Sequence, residues 1–103
     1  MDRNEIIAKL QAHRQRLLAK GVVTLSLFGS TARGENDAQS DIDLAVRLDD
    51  RFSAGGFDYF AKLEALREEL AGLLGQPVDL IEEPVRAERI QAAIDQDRLI
   101  AFQ

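Results

Sequence analysis

The sequence predicts a small α/β domain, or α+β if the sheet is mixed, with a mixed three-stranded sheet flanked by helices. Three observations carry this expectation. Stretches with apolar residues at helical spacing alternate with short β-branched runs. A long helical pattern separates the second run from the third, which predicts a crossover and therefore a parallel pair of neighbouring strands. The link between the first and second runs is short and suits an antiparallel pairing instead.

The first helix is predicted from about Arg3 to Lys20. Asp2 is its N-cap, with Glu5 three residues later completing a capping box. Ile6, Ile7, Leu10, Leu17 and Leu18 share a face, and Gly21 stands in the usual C′ place. Val22 to Phe28 reads as a strand bounded by Gly29. Ser30 is positioned to cap a helical turn over Thr31 to Arg33, and Gly34 to Ser40 reads as a polar loop. Asp41 to Leu48 alternates, with Ile42, Leu44 and Val46 on one face and Asp41, Asp43 and Ala45 on the other. Asp49 to Gly56 is a loop, with Gly55-Gly56 as its hinge. A second long helix is predicted over Phe57 to Leu74, with Phe60, Leu63, Leu66, Leu70 and Leu73 as its core stripe and Gly75 as its stop. Pro77 to Glu82 reads as a third strand carrying Asp79. Pro84 suits the first turn of a final helix reaching about Gln96, and Leu99 to Phe102 is a short strand or extended tail.

Length and composition bound the class. At 103 residues the chain has room for one domain, 1–103, with a single small core. Its 46% hydrophobic and 30% charged residues are those of an ordinary globular protein. No apolar run approaches a membrane span, and the polar start Met1-Asp2-Arg3-Asn4-Glu5 is unlike a signal peptide. The absence of cysteine excludes disulfides and thiolate metal sites, and a cytoplasmic location is expected. A net charge of −5 argues against direct nucleic-acid binding, which needs a basic stripe. The 18 acids, some of them clustered, suit hard divalent cations.

The predicted strand order has a chemical consequence. An antiparallel first pair places Gly29-Ser30 beside Asp41 and Asp43, and Asp79 near the start of the third strand falls at the same edge. Three neighbouring aspartates repel one another, and at least one takes up a proton unless a cation sits among them. Mg²⁺ answers this need, because it accepts carboxylate oxygens while keeping waters and phosphate oxygens in its octahedron. Two such ions stabilise both the attacking and the leaving oxygen of an in-line phosphoryl displacement. Gly29 lets a phosphate approach the backbone. Taken singly, an Asp-x-Asp is usually a solvated strand end and a Gly-Ser is usually a turn. Their combination at one edge is the specific signal.

Gly29-Ser30-Thr31-Ala32-Arg33-Gly34-Glu35 followed by Ser40-Asp41-Ile42-Asp43-Leu44-Ala45-Val46 resembles the signature of the minimal nucleotidyltransferase family, within the DNA polymerase beta-like superfamily. The Gly-Ser, ten residues, Asp-x-Asp pattern is met without departure, and the resemblance extends over nearly the whole chain. It implies that Asp41 and Asp43 hold two Mg²⁺ ions (Mn²⁺ as an alternative) and the phosphates of an NTP. It further implies that Asp79 completes the metal site and activates an acceptor hydroxyl, and that Gly29 and Ser30 bind the triphosphate. Arg33 either contacts a phosphate or the acceptor, or is a loop-stabilising surface charge. One departure is mild: the tail ends Ala101-Phe102 where relatives often carry a tyrosine.

Larger members of the superfamily carry extra domains that bind the acceptor, so in this chain a partner must supply it. The resemblance implies a HEPN-family toxin as that partner, in a hetero-oligomer. AMP would pass from ATP to a tyrosine of the toxin, and the chain would act as its antitoxin. Two other readings stay open: a small-molecule acceptor, and a non-catalytic antitoxin that inhibits by binding. Outside the motif, His13 is expected at the surface and Glu35 and Asp37 in a solvated loop. Phe57, Tyr59 and Phe60 are expected to form a core cluster at a helix start, with docking of a base or partner as the alternative. Leu99, Ile100 and Phe102 are either core or an exposed partner patch.

Overall fold

A computed structural model describes residues 1–37, 39–54 and 58–103. The predicted hinge Gly55-Gly56 and helix start Phe57 lie outside the described residues. The elements in chain order are α1 (Arg3–Ala12), α2 (Arg14–Ala19), β1 (Val22–Phe28), α3 (Gly29–Ala32), β2 (Ile42–Leu48), α4 (Asp50–Ser53), α5 (Tyr59–Leu74), β3 (Val78–Glu82), α6 (Glu88–Asp97) and β4 (Leu99–Phe102).

Among the described residues the sheet has four strands, ordered β3-β2-β1-β4, rather than three. As the connections require, β1 and β2 are antiparallel and β2 and β3 are parallel. The fourth strand is the closing segment, which pairs antiparallel with β1. Its inner residues Ala101 and Phe102 are buried and Ile100 is exposed, so the tail is mostly core. The Gln11 side chain donates to the Ala101 carbonyl at 3.1 Å, tying α1 to β4. The main core lies between the sheet and α1, α2 and α5, where Ile6, Leu10 and Leu17 meet Leu25, Leu27, Leu44 and Val46. No helix of the described residues is long and apolar enough to cross a membrane.

Several boundaries differ from the sequence expectation. The first helix is two, broken at His13, because no large apolar residue stands between Leu10 and Leu17 to hold the stripe through the break. The Asp2 cap is present, its carboxylate accepting from the Glu5 amide at 2.9 Å. The glycine turn is itself helical, Gly29–Ala32, and Phe28 rather than Ser30 is its N-cap residue. The loop after β2 contains α4, capped by Asp49.

The α5 stripe is Leu66, Leu70 and Leu74, with Leu63 and Leu73 only partly buried and Phe60 79% exposed. Phe60 precedes Leu66 by six residues, which turns it about 120° away on a helix. Tyr59 precedes Leu66 by seven, so it faces the core instead and packs edge-on against Phe52 at 5.6 Å. Gly75 ends α5 as expected, with a left-handed φ of 69° that a side chain disfavours. Pro84 is not in the last helix. The Glu83 amide still bonds Val46, and the Gln91 side chain accepts from the Val85 amide at 2.8 Å, so residues 83–87 form a held turn before α6.

Candidate active site

Strand register assembles the site. Phe28 at the end of β1 faces Asp43 on β2, and Asp43 in turn faces Asp79 on β3. Opposed residues in a sheet share a face, so Asp43 and Asp79 project to the same side. Asp41 stands exposed immediately before β2 rather than within it. Gly29 follows Phe28 directly, which brings the glycine turn against Asp43.

That contact is close. Gly29 has φ 75°, and a Cβ built on it would lie 2.2 Å from Asp43 Oδ2, inside any tolerable distance. Glycine at 29 thus permits both the left-handed backbone and the position of the carboxylate. Ser30 is half-buried on the same turn. Thr31 beside it is buried, and its hydroxyl makes no hydrogen bond among the described residues.

Asp43 is electrostatically burdened. Burial raises its carboxyl above the ordinary aspartate range, and the charges of Asp79 and Asp41 raise it further. The Arg33 guanidinium pulls it back down. Asp79, Asp41 and Arg33 thus each act on Asp43. Arg33 also carries two ion pairs, from Nε to Glu35 Oε2 at 2.9 Å and from Nη1 to Asp97 Oδ2 at 2.6 Å. Glu35 is thereby engaged rather than merely solvated. Asp97 was not legible in the sequence, since 64 residues separate it from Arg33 and no local pattern marks the pair.

Among the described residues no three acidic or histidine side chains converge as a ready cage for a cation. The donor chemistry nevertheless fits divalent magnesium: carboxylate oxygens gathered at one strand edge, with an excess of negative charge that a cation relieves. A cleft of about 330 Å³ lined by Lys20, Arg51, Phe52, Lys62 and Glu69 lies near the start of β1, away from this edge, and none of the six site residues lines it.

The family profile described as a nucleotidyltransferase domain matches residues 9–100, spanning the glycine turn and all three aspartates. The chain belongs to the nucleotidyltransferase domain family. Its relatives include a candidate protein adenylyltransferase of Methanocaldococcus jannaschii, 34% identical over 91% of this chain and 92% of that protein. The protein adenylyltransferase MntA of Thermococcus cleftensis is 37% identical over 75% of this chain and 73% of its own length. Among solved structures, a candidate minimal nucleotidyltransferase superposes with a TM-score of 0.74 at 30% identity, covering 96% of this chain and 95% of that one. A toxin–antitoxin crystal structure with AMP-PNP gives 0.66 at 26% identity, over 99% of this chain and 73% of that one. The chain is a nucleotidyltransferase, and the mixed α and β architecture is that of the minimal members.

Proposed function

We propose that this nucleotidyltransferase moves AMP from ATP onto a tyrosine of a HEPN-family toxin and acts as that toxin's antitoxin. The observation that carries the reading is the juxtaposition of Asp43 with Asp79 by strand register and with Gly29 by direct contact. It puts a backbone with no side chain, open to a phosphate, against the carboxylates that a phosphoryl-transfer site needs. The adenylyltransferase relatives and the AMP-PNP of the toxin–antitoxin neighbour support the nucleotide and the protein acceptor.

In this reading Asp41, Asp43 and Asp79 hold two Mg²⁺ ions, which when bound neutralise charge on the phosphates and on the attacking and leaving oxygens. Gly29 and Ser30 seat the triphosphate, and Arg33 approaches it from the rim. Asp79 takes the proton of the acceptor hydroxyl. The acceptor oxygen bonds to the α-phosphorus as the bond to the bridging oxygen breaks, so AMP remains on the acceptor and pyrophosphate leaves. Binding orients the in-line geometry, which supplies much of the rate.

Intact-mass spectrometry of the partner after incubation with ATP and Mg²⁺ tests this. Wild type should add adenylyl units, and Asp43→Asn should lower the rate by on the order of 10²–10³-fold, as expected for one lost electrostatic anchor. Labelling of a small-molecule acceptor with the partner untouched would replace the proposed substrate. A transferless Asp43→Asn that still neutralises the toxin in cells would replace catalysis with inhibition by binding.

A further inference from the structure

Arg33 is held in place by acids that belong to different parts of the chain. Its Nε bonds Glu35 in the following loop, and its Nη1 bonds Asp97, the last residue of α6. These bonds leave the Nη2 hydrogens and one Nη1 hydrogen without a partner among the described residues. A guanidinium is rigid and planar, so anchoring one edge fixes the direction of the others.

We infer that Asp97 is a positioning residue of the nucleotide site, holding Arg33 at the rim of the aspartate cluster where its open edge meets the phosphates of incoming ATP. The inference rests on the nucleotidyl-transfer reading above. Three observations support it. Arg33 closes the glycine turn, its amide donating to the Gly29 carbonyl at 3.2 Å, and Gly29 lies directly against Asp43. Asp97 has a side chain only 16% exposed against 45% for Arg33, so the acid is the fixed member of the pair.

The third observation is the cost of its placement. The C-terminus of a helix disfavours an acid, and the last turn of α6 carries no basic residue to offset Asp97. A single ion pair whose arginine stays 45% exposed returns modest stability, so folding alone gives weak grounds for an acid there. Pre-ordering a long arginine side chain instead lowers the entropy lost when phosphate binds. Asp97 should therefore be felt in nucleotide affinity more than in folding.

Calorimetric Kd values for ATP with Mg²⁺, alongside melting temperatures, test this without needing an acceptor. Asp97→Ala should weaken ATP binding about fivefold to tenfold, and Asp97→Glu should recover most of that loss. Arg33→Ala should weaken binding at least as much, and adding Asp97→Ala to it should change nothing further. An Asp97→Ala effect of equal size with or without Arg33, or a fall in melting temperature with no change in Kd, would overturn the inference. Asp43→Asn, assayed for transfer in the same series, reports separately on the underlying reading. If it transfers like wild type, the site assignment falls; if it is inactive while Asp97→Ala binds ATP normally, only the role of Asp97 falls. Failure of wild type to bind ATP would remove both.

Discussion

At position 29 a methyl group would occupy the space that Asp43 Oδ2 now fills, on a backbone already in the left-handed region. Gly29→Ala should therefore cost about 1–2 kcal/mol of stability through strain and displace the carboxylate from the site. Transfer activity should drop at least about a hundredfold, more than the loss of stability explains. The double variant Gly29→Ala/Asp43→Ala should melt higher than Gly29→Ala alone, because the clash has gone, while remaining inactive. Additive melting shifts would show that the two residues do not interact. The pair was legible from sequence because a Gly-Ser at a strand end and an Asp-x-Asp at the next strand's start must meet once the strands run antiparallel. Asp97 was not, because nothing short of the chain's path over the sheet brings α6 to Arg33.

Helix α5 shows how a periodic pattern is read correctly in kind and wrongly in phase. The apolar residues called for a helix, and one forms, but its buried line runs through Leu66, Leu70 and Leu74 while Tyr59 takes the place assigned to Phe60. Leu70→Ala should then cost about 2–5 kcal/mol by leaving a cavity, whereas Phe60→Ser should change stability by no more than about 0.5 kcal/mol. Chemical denaturation of the two variants checks both, and a large loss at Phe60 would mean that the residue is covered. Tyr59 is anchored at its far end by a 2.5 Å hydrogen bond to Glu82. Its hydroxyl is pushed up to about 12 by burial first and by Glu82 second, so it stays a donor. The phase was hidden because sequence shows the spacing of Leu and Phe but not which of two adjacent aromatics meets Phe52.

Across the whole molecule, one buried polar junction ties the parts together. Arg98 donates to Glu83 Oε1 at 2.8 Å, to Glu83 Oε2 at 2.5 Å, to Ser26 Oγ at 2.9 Å and to Asp95 Oδ1 at 2.9 Å. Gln91 adds a 2.7 Å bond to Glu83. The end of β3, helix α6 and the middle of β1 are thus joined on the sheet face opposite the main core. The Glu83 side chain is fully buried, and Arg98 holds its carboxyl below the usual range against the opposing effect of burial. A depressed carboxyl stabilises the fold above its unfolded value of about 4.3, and that contribution is lost as pH falls through the lower folded value. Arg98→Ala should cost about 3 kcal/mol at neutral pH by leaving Glu83 buried and unpaired. It should also flatten the acid limb of stability below about pH 4, which melts across pH would show. The junction could not be read from spacing, and the closing segment Leu99 to Phe102 was legible only as a short strand or extended tail, since its place beside β1 depends on α6 crossing the sheet. The aspartate edge could, since it depends only on strand order and polarity. The most direct test of the central claim is the intact mass of the proposed HEPN-family toxin partner after incubation with ATP, Mg²⁺ and either wild type or Asp43→Asn. The account predicts adenylyl increments on a toxin tyrosine with wild type, and increments slower by on the order of 10²–10³-fold with Asp43→Asn; an unmodified toxin with wild type, or equal modification by both, would contradict it.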